Sequence, residues 1–270
     1  MRDHKNTKKM NFGINRNVMT LIGLLLLALG AMGRGIIQTR FLGVGAVNSD
    51  QLLEVLNASG GMQAAAAALV FEGLESCAAP IFAVLLIDGF QKSSNVPKYI
   101  LRVLGVAILS EIPYNYVFSG KLLDMTSRNP VWAMVLCLLM LYLFRQYEGK
   151  QAGKLLIKLA VAAAAILWSL LFRVQFGPIM LLLVMALWAL RNRLSLRLCF
   201  GAAVAVCCCV VNPLYMFSPF GFLIAHFYNE EKGFFARPIQ YLIYPFMLVM
   251  VGLAGLVMTF LGVCETPEAA

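Results

Sequence analysis

Charged residues are scarce in this chain of 270 residues: Asp, Glu, Lys and Arg make up 13% of it, whereas hydrophobic residues make up 61%. Soluble domains carry about 25% charged residues. The mean hydropathy, +0.80, is correspondingly high. This composition excludes a water-soluble globular protein, and no stretch is long and polar enough to form an extramembrane domain. We therefore expect an all-α, polytopic integral membrane helix bundle without a soluble domain.

Histidine and the motifs of soluble enzymes are nearly absent as well. The chain has two histidines, and it lacks the G-x-G-x-x-G, P-loop, G-x-S-x-G and H-E-x-x-H motifs. Its seven cysteines lie almost entirely within apolar runs, without a C-x-x-C pair or metal-ligand spacing. Consecutive Cys207, Cys208 and Cys209 would point about 100° apart on a helix, so they cannot converge on one ion. We expect no metal and no bound cofactor.

Apolar runs fill most of the chain. A helix needs about 20 residues to cross a bilayer, and we predict nine spans at about 18–37, 63–90, 99–118, 130–146, 155–173, 176–190, 195–211, 214–228 and 239–262. The sixth and eighth are short, so eight or ten spans are possible alternatives. The predicted organisation is a basic N-terminal tail (1–17), a transmembrane domain (18–262) and a short C-terminal tail (263–270).

Basic residues exceed acidic ones and give a net charge of +9. They concentrate in the loops at alternate ends of the predicted spans, which is the positive-inside pattern rather than a nucleic-acid-binding surface. The pattern predicts a multi-pass plasma-membrane protein with a cytoplasmic N-terminus and an external C-terminus. Its expected partner is the lipid bilayer, and no nucleic acid is expected.

Ionisable residues at membrane depth are costly, so each one is a functional hypothesis. Asp88 and Arg102 lie close to the turn between the second and third predicted spans, where we expect them to form an ion pair. Glu72 and Glu75 share one helix face, and Glu111 lies at a similar depth in the outer half. Three such carboxylates suit a general base, but they equally suit buried carboxyl groups that only accept hydrogen bonds.

The stretch Ser110–Asp124, SEIPYNYVFSGKLLD, interrupts the third predicted span. Pro113 has no backbone donor and frees the carbonyl of Leu109, which indicates a bent helix end that lines polar space. Tyr114 and Asn115 supply hydrogen-bonding groups at that bend. The loop that follows contains four further polar residues: Lys121, Asp124, Arg128 and Asn129. We expect a polar vestibule at the outer end of the bundle.

The stretch HFYNEEKG, residues 226–233, precedes the last predicted span. His226 is the histidine near the membrane, so an imidazole base would have to be this residue. A lone histidine at a helix end can also be a plain interfacial residue. Both interpretations stay open on the sequence alone.

Several of these stretches, in this order, resemble the TraX family of conjugal-transfer membrane proteins: PIFAVLLIDGF (80–90), KYILRVLGVAILSEIPYNYVFSG (98–120), Asn129, FYNEEKG (227–233) and YLIYP (241–245). The resemblance implies a helix bundle related to membrane acyltransferases, which take an acyl group from acyl-CoA at the cytoplasmic face and deliver it across the membrane. The namesake of the family acetylates the N-terminus of a conjugative pilin. Many relatives have unknown acceptors.

The resemblance also implies roles for particular residues. The catalytic candidates are Glu111 and His226. The substrate-binding candidates are Asp88, Arg102, Tyr114, Asn115, Asn129, Tyr228, Asn229 and Tyr244. We expect acyl-CoA, as donor substrate, to bind the inner basic loops, where its phosphates favour Lys98, Arg102 or Lys232. An extracytoplasmic acceptor would enter the outer vestibule. The alternative is a non-catalytic relative that binds a lipid or a partner helix.

The chain departs from the pattern of the family at four places. Gly30 and Ala31 replace an Asp-His pair in the first span, Glu75 and Ser76 replace Gly-Arg, Gln175 replaces the Asp of an Asp-Tyr-Gly, and Met247 replaces the histidine of Tyr-Pro-x-His. Either Glu111 or His226 substitutes for the missing histidines, or the protein has kept the fold and lost the reaction.

Overall fold

The computed structural model describes residues 13–43, 49–57, 60–149, 151–191, 194–231 and 237–262. The first half of the chain forms α1 (Arg16–Ala31), a π-helical segment (Met32–Phe41), α2 (Ser49–Asn57), α3 (Gly61–Ser76), α4 (Ala78–Lys92) and α5 (Val96–Ser119). The second half forms α6 (Val131–Gln146), α7 (Ala152–Leu171), α8 (Gly177–Ala189), α9 (Leu194–Cys207), two 3-10 turns (Cys208–Val210 and Pro213–Phe217), α10 (Pro219–His226) and α11 (Arg237–Phe260). Both predicted tails lie largely outside the described residues, as does Lys232.

The described residues confirm an all-helical membrane protein. Five stretches are long and apolar enough to cross a bilayer: Arg16–Phe41, Gly61–Lys92, Val96–Ser119, Ala152–Leu171 and Gln240–Phe260. Three shorter apolar helices accompany them: Val131–Gln146, Gly177–Ala189 and Leu196–Val210. The predicted count of nine spans is not confirmed. In the predicted span 214–228 the longest helix is α10, whose eight residues extend only about 12 Å.

The two ends of the bundle can be told apart by the direction of its helices. We call the end at which α1 begins, α4 ends and α5 begins the near end. The π-segment and α5 end at the opposite side, which we call the far end. The positive-inside pattern predicts that the near end is cytoplasmic, and this orientation stays a prediction.

Helix α4 occupies the centre of the bundle. All of its residues from Ala78 to Phe90 are buried except Phe82, and the helix packs against α1, α6, α8 and α10. Helix α7, in contrast, is mostly exposed: of its 20 residues, Ala162 and Ser169 are buried. A bilayer would cover the exposed leucines of α7, so this helix lies at the lipid-facing periphery.

Helix α5 continues through Pro113 for six more residues, to Ser119. It ends at Gly120, whose φ of 70° is left-handed and whose N–H donates to the carbonyl of Tyr116 at 3.1 Å. Glycine is the usual residue at such a helix end because it carries no Cβ. The polar residues around Pro113 therefore lie within the last turns of a helix, inside the bundle.

A break at Cys77 separates α3 from α4 and receives α10. The Sγ of Cys77 donates to the carbonyl of Phe217 at 3.0 Å. Gly221 of α10 rests on this break so closely that a Cβ there would overlap the carbonyl oxygen of Cys77. The absence of a side chain at Gly221 thus sets how closely α10 approaches the central helix.

We expect Gly221→Ala to destabilise the protein by about 1–3 kcal/mol, because the added methyl group meets backbone that cannot give way. Gly105→Ala is the matched control, since nothing lies within 4 Å of a Cβ at Gly105. Thermal unfolding of the purified protein in detergent measures both changes. An equal effect of the two substitutions would contradict the close packing of α10 on Cys77.

Candidate functional site

A first polar cluster surrounds Asp88 at the near end. The Asp88 side chain is almost fully buried, and its carboxylate contacts Lys92 Nζ at 2.6 Å and Arg16 Nη1 at 3.9 Å. The hydroxyl of Tyr228 donates to it at 2.8 Å. Burial and this hydrogen bond raise the pKa of the Tyr228 phenol, so it remains a donor. Asp88 and Tyr228, two of the substrate-binding candidates, thus bind each other.

The predicted ion pair between Asp88 and Arg102 is wrong. Arg102 is exposed on the surface of α5, whereas Lys92 lies one turn from Asp88 on the same helix. Residues four apart on a helix share a face, so Lys92 reaches the carboxylate without crossing to another helix. The depth of a residue along its span does not fix the direction of its side chain, and that direction decided this pairing.

The turn after α10 anchors the beginning of α1. The N–H of Ile14 donates to the carbonyl of Phe227 at 2.7 Å, and the N–H of Asn229 donates to the carbonyl of Ile14 at 3.0 Å. The side-chain amide of Asn229 donates to Glu231 at 3.2 Å. Asn229, another substrate-binding candidate, therefore contributes to the structure of the near end.

His226 is the last residue of α10 and is exposed. Its ring meets Phe227 edge to face, with the ring centroids 5.6 Å apart. Within the described part of the chain, no carboxylate or hydroxyl orients this imidazole by a hydrogen bond. Its catalytic role stays a prediction.

A second polar cluster surrounds Glu111 toward the far end. One carboxylate oxygen accepts a hydrogen bond from Arg128 Nη1 at 2.7 Å. The other accepts from Asn129 Nδ2 at 2.5 Å and from Trp132 Nε1 at 2.9 Å. Asn129 is fully buried, and it also donates to the carbonyl of Ala107 at 2.9 Å. Three donors on two oxygens neutralise and fix Glu111, and its predicted role as a base is not tested by this geometry.

The predicted residues Tyr114 and Asn115 are both 2% exposed. The Tyr114 hydroxyl lies 3.4 Å from Ser127 Oγ, and the Asn115 carbonyl accepts a hydrogen bond from Ser119 at 2.8 Å. Among the described residues, no group accepts from the Asn115 side-chain amide. These two side chains therefore bring polar groups into the bundle interior rather than to its surface.

The loop between α5 and α6 partly satisfies its own polar groups. The carboxylate of Asp124 accepts hydrogen bonds from the N–H and the hydroxyl of Thr126 at 2.9 and 2.8 Å. The hydrogen bond from the Thr126 N–H is the main reason that the pKa of Asp124 is lowered. This short turn leads the chain to Arg128, which points inward to Glu111.

A third polar cluster surrounds Glu75, and sequence reasoning missed three of its members, Arg34, Gln38 and Gln175. Arg34 Nη2 of the π-segment lies 2.7 Å from both oxygens of Glu75, and Gln175 Nε2 donates to one of them at 2.7 Å. One turn earlier on α3, Glu72 accepts a hydrogen bond from Gln38. The shared face of Glu72 and Glu75 is thus confirmed. The matching spacing of Arg34 and Gln38 was the signal that could have predicted both contacts.

Three of the positions at which the chain departs from the family pattern meet in this cluster. A Cβ on Gly30 of α1 would overlap the carboxylate of Glu75, so Glu75 occupies the space that glycine leaves open. Gln175 then completes the hydrogen bonding of Glu75 from a distant loop. These three departures are therefore neighbours in space.

The loop that carries Gln175 has a strained backbone and is hydrogen-bonded to the main chain of Arg128. Arg173 and Phe176 have left-handed φ values of 48° and 58°, which are rare for residues with large side chains. Two backbone hydrogen bonds hold the loop: Arg128 N–H donates to the Arg173 carbonyl at 3.2 Å, and Gln175 N–H donates to the Arg128 carbonyl at 3.0 Å. Such strain persists only where the surroundings enforce it.

A cavity of about 130 Å³ extends from the near end into the bundle between α1, α4, α5, α6 and α11. Polar side chains of Arg16, Tyr99 and Gln240 lie at its near end, and Tyr244 lies one turn further along α11. Thr20 and Tyr241 also line the cavity. The rest of the lining is apolar: Leu24, Leu27, Phe82, Leu85, Leu86, Val103, Val106, Val131 and Met134. Tyr244 is buried. Leu27 lies three residues before Gly30, and Val131 lies two residues after Asn129, so the cavity leads toward both carboxylate clusters.

Arg34→Ala and Glu75→Ala should each destabilise the protein, because either change leaves its partner without a counter-charge inside the bundle. We expect the double variant to lose less unfolding free energy than the two single variants together, by about 1–3 kcal/mol, since the two residues share one interaction. Unfolding in detergent measures this coupling. Arg102→Ala, at an exposed position, is the control and should change stability by less than about 0.5 kcal/mol. Additive effects would contradict the ion pair.

The comparisons with known proteins add one finding. A family model, described as TraX protein, matches residues 62–255 of the chain. No curated protein and no solved structure matches the chain. The matched region includes Glu75, Asp88, Glu111, Gln175 and Tyr244, whereas Gly30 and Arg34 precede it.

Proposed function

The chain belongs to the TraX family, and on that basis we propose that it transfers an acyl group from acyl-CoA to an acceptor on the other side of the membrane. Family membership supports a membrane protein related to conjugal transfer. The cavity that begins among polar groups and continues between apolar walls is the observation that carries the finer proposal. Its shape suits an acyl group attached to a polar carrier.

The size of the cavity limits the part of the donor that can enter. A protein cavity of about 150 Å³ is known to hold a benzene molecule, so a volume of about 130 Å³ suits an acetyl or another short acyl group. The CoA moiety would remain outside at the near end. The exposed Lys98 lies at that end and offers positive charge to its phosphates, next to Arg16 and Lys92, which contact Asp88.

Transfer would break the thioester C–S bond, form a bond from the acyl carbon to a nitrogen or oxygen of the acceptor, and release CoA as its thiol, which takes up the proton that the acceptor loses. A base must take the proton of the acceptor, and a donor must stabilise the oxyanion. In this proposal Glu111 and His226 are the candidate bases, and the Tyr244 phenol at the cavity is a candidate donor. For Glu111 to accept a proton, one of its three donors would have to move away.

One observation favours the second candidate function, a non-catalytic relative that binds a lipid or a partner helix. Where the family pattern implies an Asp-His pair, Glu75 is closed off by Arg34 and Gln175, and Gly30 offers no side chain. A site closed in this way suits structure more than proton transfer. Binding of acyl-CoA without release of CoA would favour this candidate.

We expect Val106→Phe to weaken acetyl-CoA binding by at least about tenfold. The phenyl ring of the variant would occupy the cavity that Val106 lines, so the acyl group would lose its apolar contacts there. Ile108→Phe is the matched control on the same helix, since Ile108 is 58% exposed. Calorimetry or a fluorescence titration in detergent measures both. If the wild-type protein does not bind acetyl-CoA, the proposal fails.

Glu111→Gln should abolish the release of CoA from acetyl-CoA, because the amide cannot accept the proton, and it should also lower the stability of the protein, because Arg128 loses its counter-charge. A thiol assay measures release, and size-exclusion chromatography verifies folding. Glu54→Gln, at an exposed position of α2, is the control. Unchanged turnover of Glu111→Gln would remove Glu111 from the chemistry, and the same assay on His226→Ala would then test the other candidate base.

A further inference from the structure

Arg40, near the end of the π-segment, carries a buried charge that the described residues do not pair. The residue is 3% exposed, and neither Nη1 nor Nη2 has a hydrogen-bond partner among them. Its guanidinium carbon lies 5.4 Å from the ring centroid of Tyr116, which is a cation–π contact and not a counter-charge. Arg34, by contrast, holds Glu75 directly.

A charge in this situation requires compensation. Burial of an unpaired ion costs far more than burial of a paired one, and arginines within membrane helices normally meet a carboxylate, a carbonyl or a phosphate. A contact with one aromatic ring is weak beside that cost. The unpaired guanidinium therefore indicates an anionic ligand.

The position of Arg40 identifies the source of the anion. Arg40, Tyr116 and Gly255 lie in the last turns of the π-segment, α5 and α11, so all three are near the far membrane boundary. A Cβ at Gly255 would come within 3.0 Å of the guanidinium carbon, which places the charge in the groove between α5 and α11. Lipid phosphates lie at this level of a bilayer.

An apolar surface adjoins this groove. Leu256, Val257 and Phe260 at the end of α11 are 45%, 57% and 91% exposed. Free phosphate would gain nothing from this surface, whereas the acyl chains of a lipid would cover it. We propose that Arg40 binds the phosphate of an anionic phospholipid whose chains lie along the exposed face of α11. The long arginine side chain can turn toward the headgroup while its helix stays in place.

The test is a titration of the full chain in detergent with phosphatidylglycerol, and with phosphatidylcholine of the same acyl chains, followed by native mass spectrometry. We expect the wild-type protein to bind phosphatidylglycerol at least about tenfold more tightly, and Arg40→Gln to lose about tenfold in that affinity, since a charge-assisted hydrogen bond disappears. Arg40→Lys should be intermediate. Lys121→Gln removes an exposed positive charge after α5, at the same end, and should bind like the wild type.

The outcomes are distinct. Equal binding of the two lipids by the wild-type protein overturns the proposal, as does undiminished phosphatidylglycerol binding by Arg40→Gln or Arg40→Lys. Displacement of the lipid by millimolar inorganic phosphate would indicate a free-anion site and also overturns it. If Arg40→Gln does not fold, Arg40→Lys and the wild-type preference decide. No acyl-CoA is present in this titration, so its result is independent of the proposed transfer reaction.

Discussion

The ion pair between Glu111 and Arg128 is the contact on which the far half of the bundle depends. Arg128 is fixed by its side chain to Glu111, and its main chain then pairs with the loop 173–175. That loop delivers Gln175 to Glu75, and Glu75 binds Arg34 of the π-segment. One carboxylate on α5 is therefore connected, through successive contacts, to α3 and to the π-segment. The strained loop is held by these contacts together with its own backbone hydrogen bond from Val174 N–H to the Ser169 carbonyl.

A membrane interior explains why polar contacts have this organising role. Lipid chains are as apolar as leucine, so burial of apolar surface alone does not specify which helices associate or at what rotation. Hydrogen bonds and ion pairs do specify this, because each misplaced partner leaves a charge unpaired in a medium of low dielectric constant. The three clusters around Asp88, Glu111 and Glu75 join segments that are distant in the chain, the first toward the near end and the other two toward the far end.

The sequence allowed the helices to be predicted more completely than their contacts. Apolar length predicts α5 and α11 because crossing a bilayer requires it, and the spacing of Glu72 and Glu75 predicts their common face. The predicted span 214–228 is broken instead, since Pro213 and Pro219 begin separate short helices and cannot donate backbone hydrogen bonds. Arg102 was paired wrongly because depth along a span says nothing about rotation. Gln175 was missed because a loop separated by 100 residues from Glu75 leaves no local pattern.

The Glu75 cluster has a structural role rather than a catalytic one in this chain. With a side chain at Gly30, the Glu75 carboxylate would be displaced, and without Arg34 and Gln175 it would lose its hydrogen-bond donors. These residues therefore form one contact network around the Glu75 carboxylate. The network holds an ion pair between Arg34 and Glu75 where the resemblance implies a histidine. It follows that this place supplies rigidity in this chain. If an acyl group is transferred, the reacting atoms must meet elsewhere, and the cavity lined by Leu27, Val131 and Tyr244 is a space that could receive them.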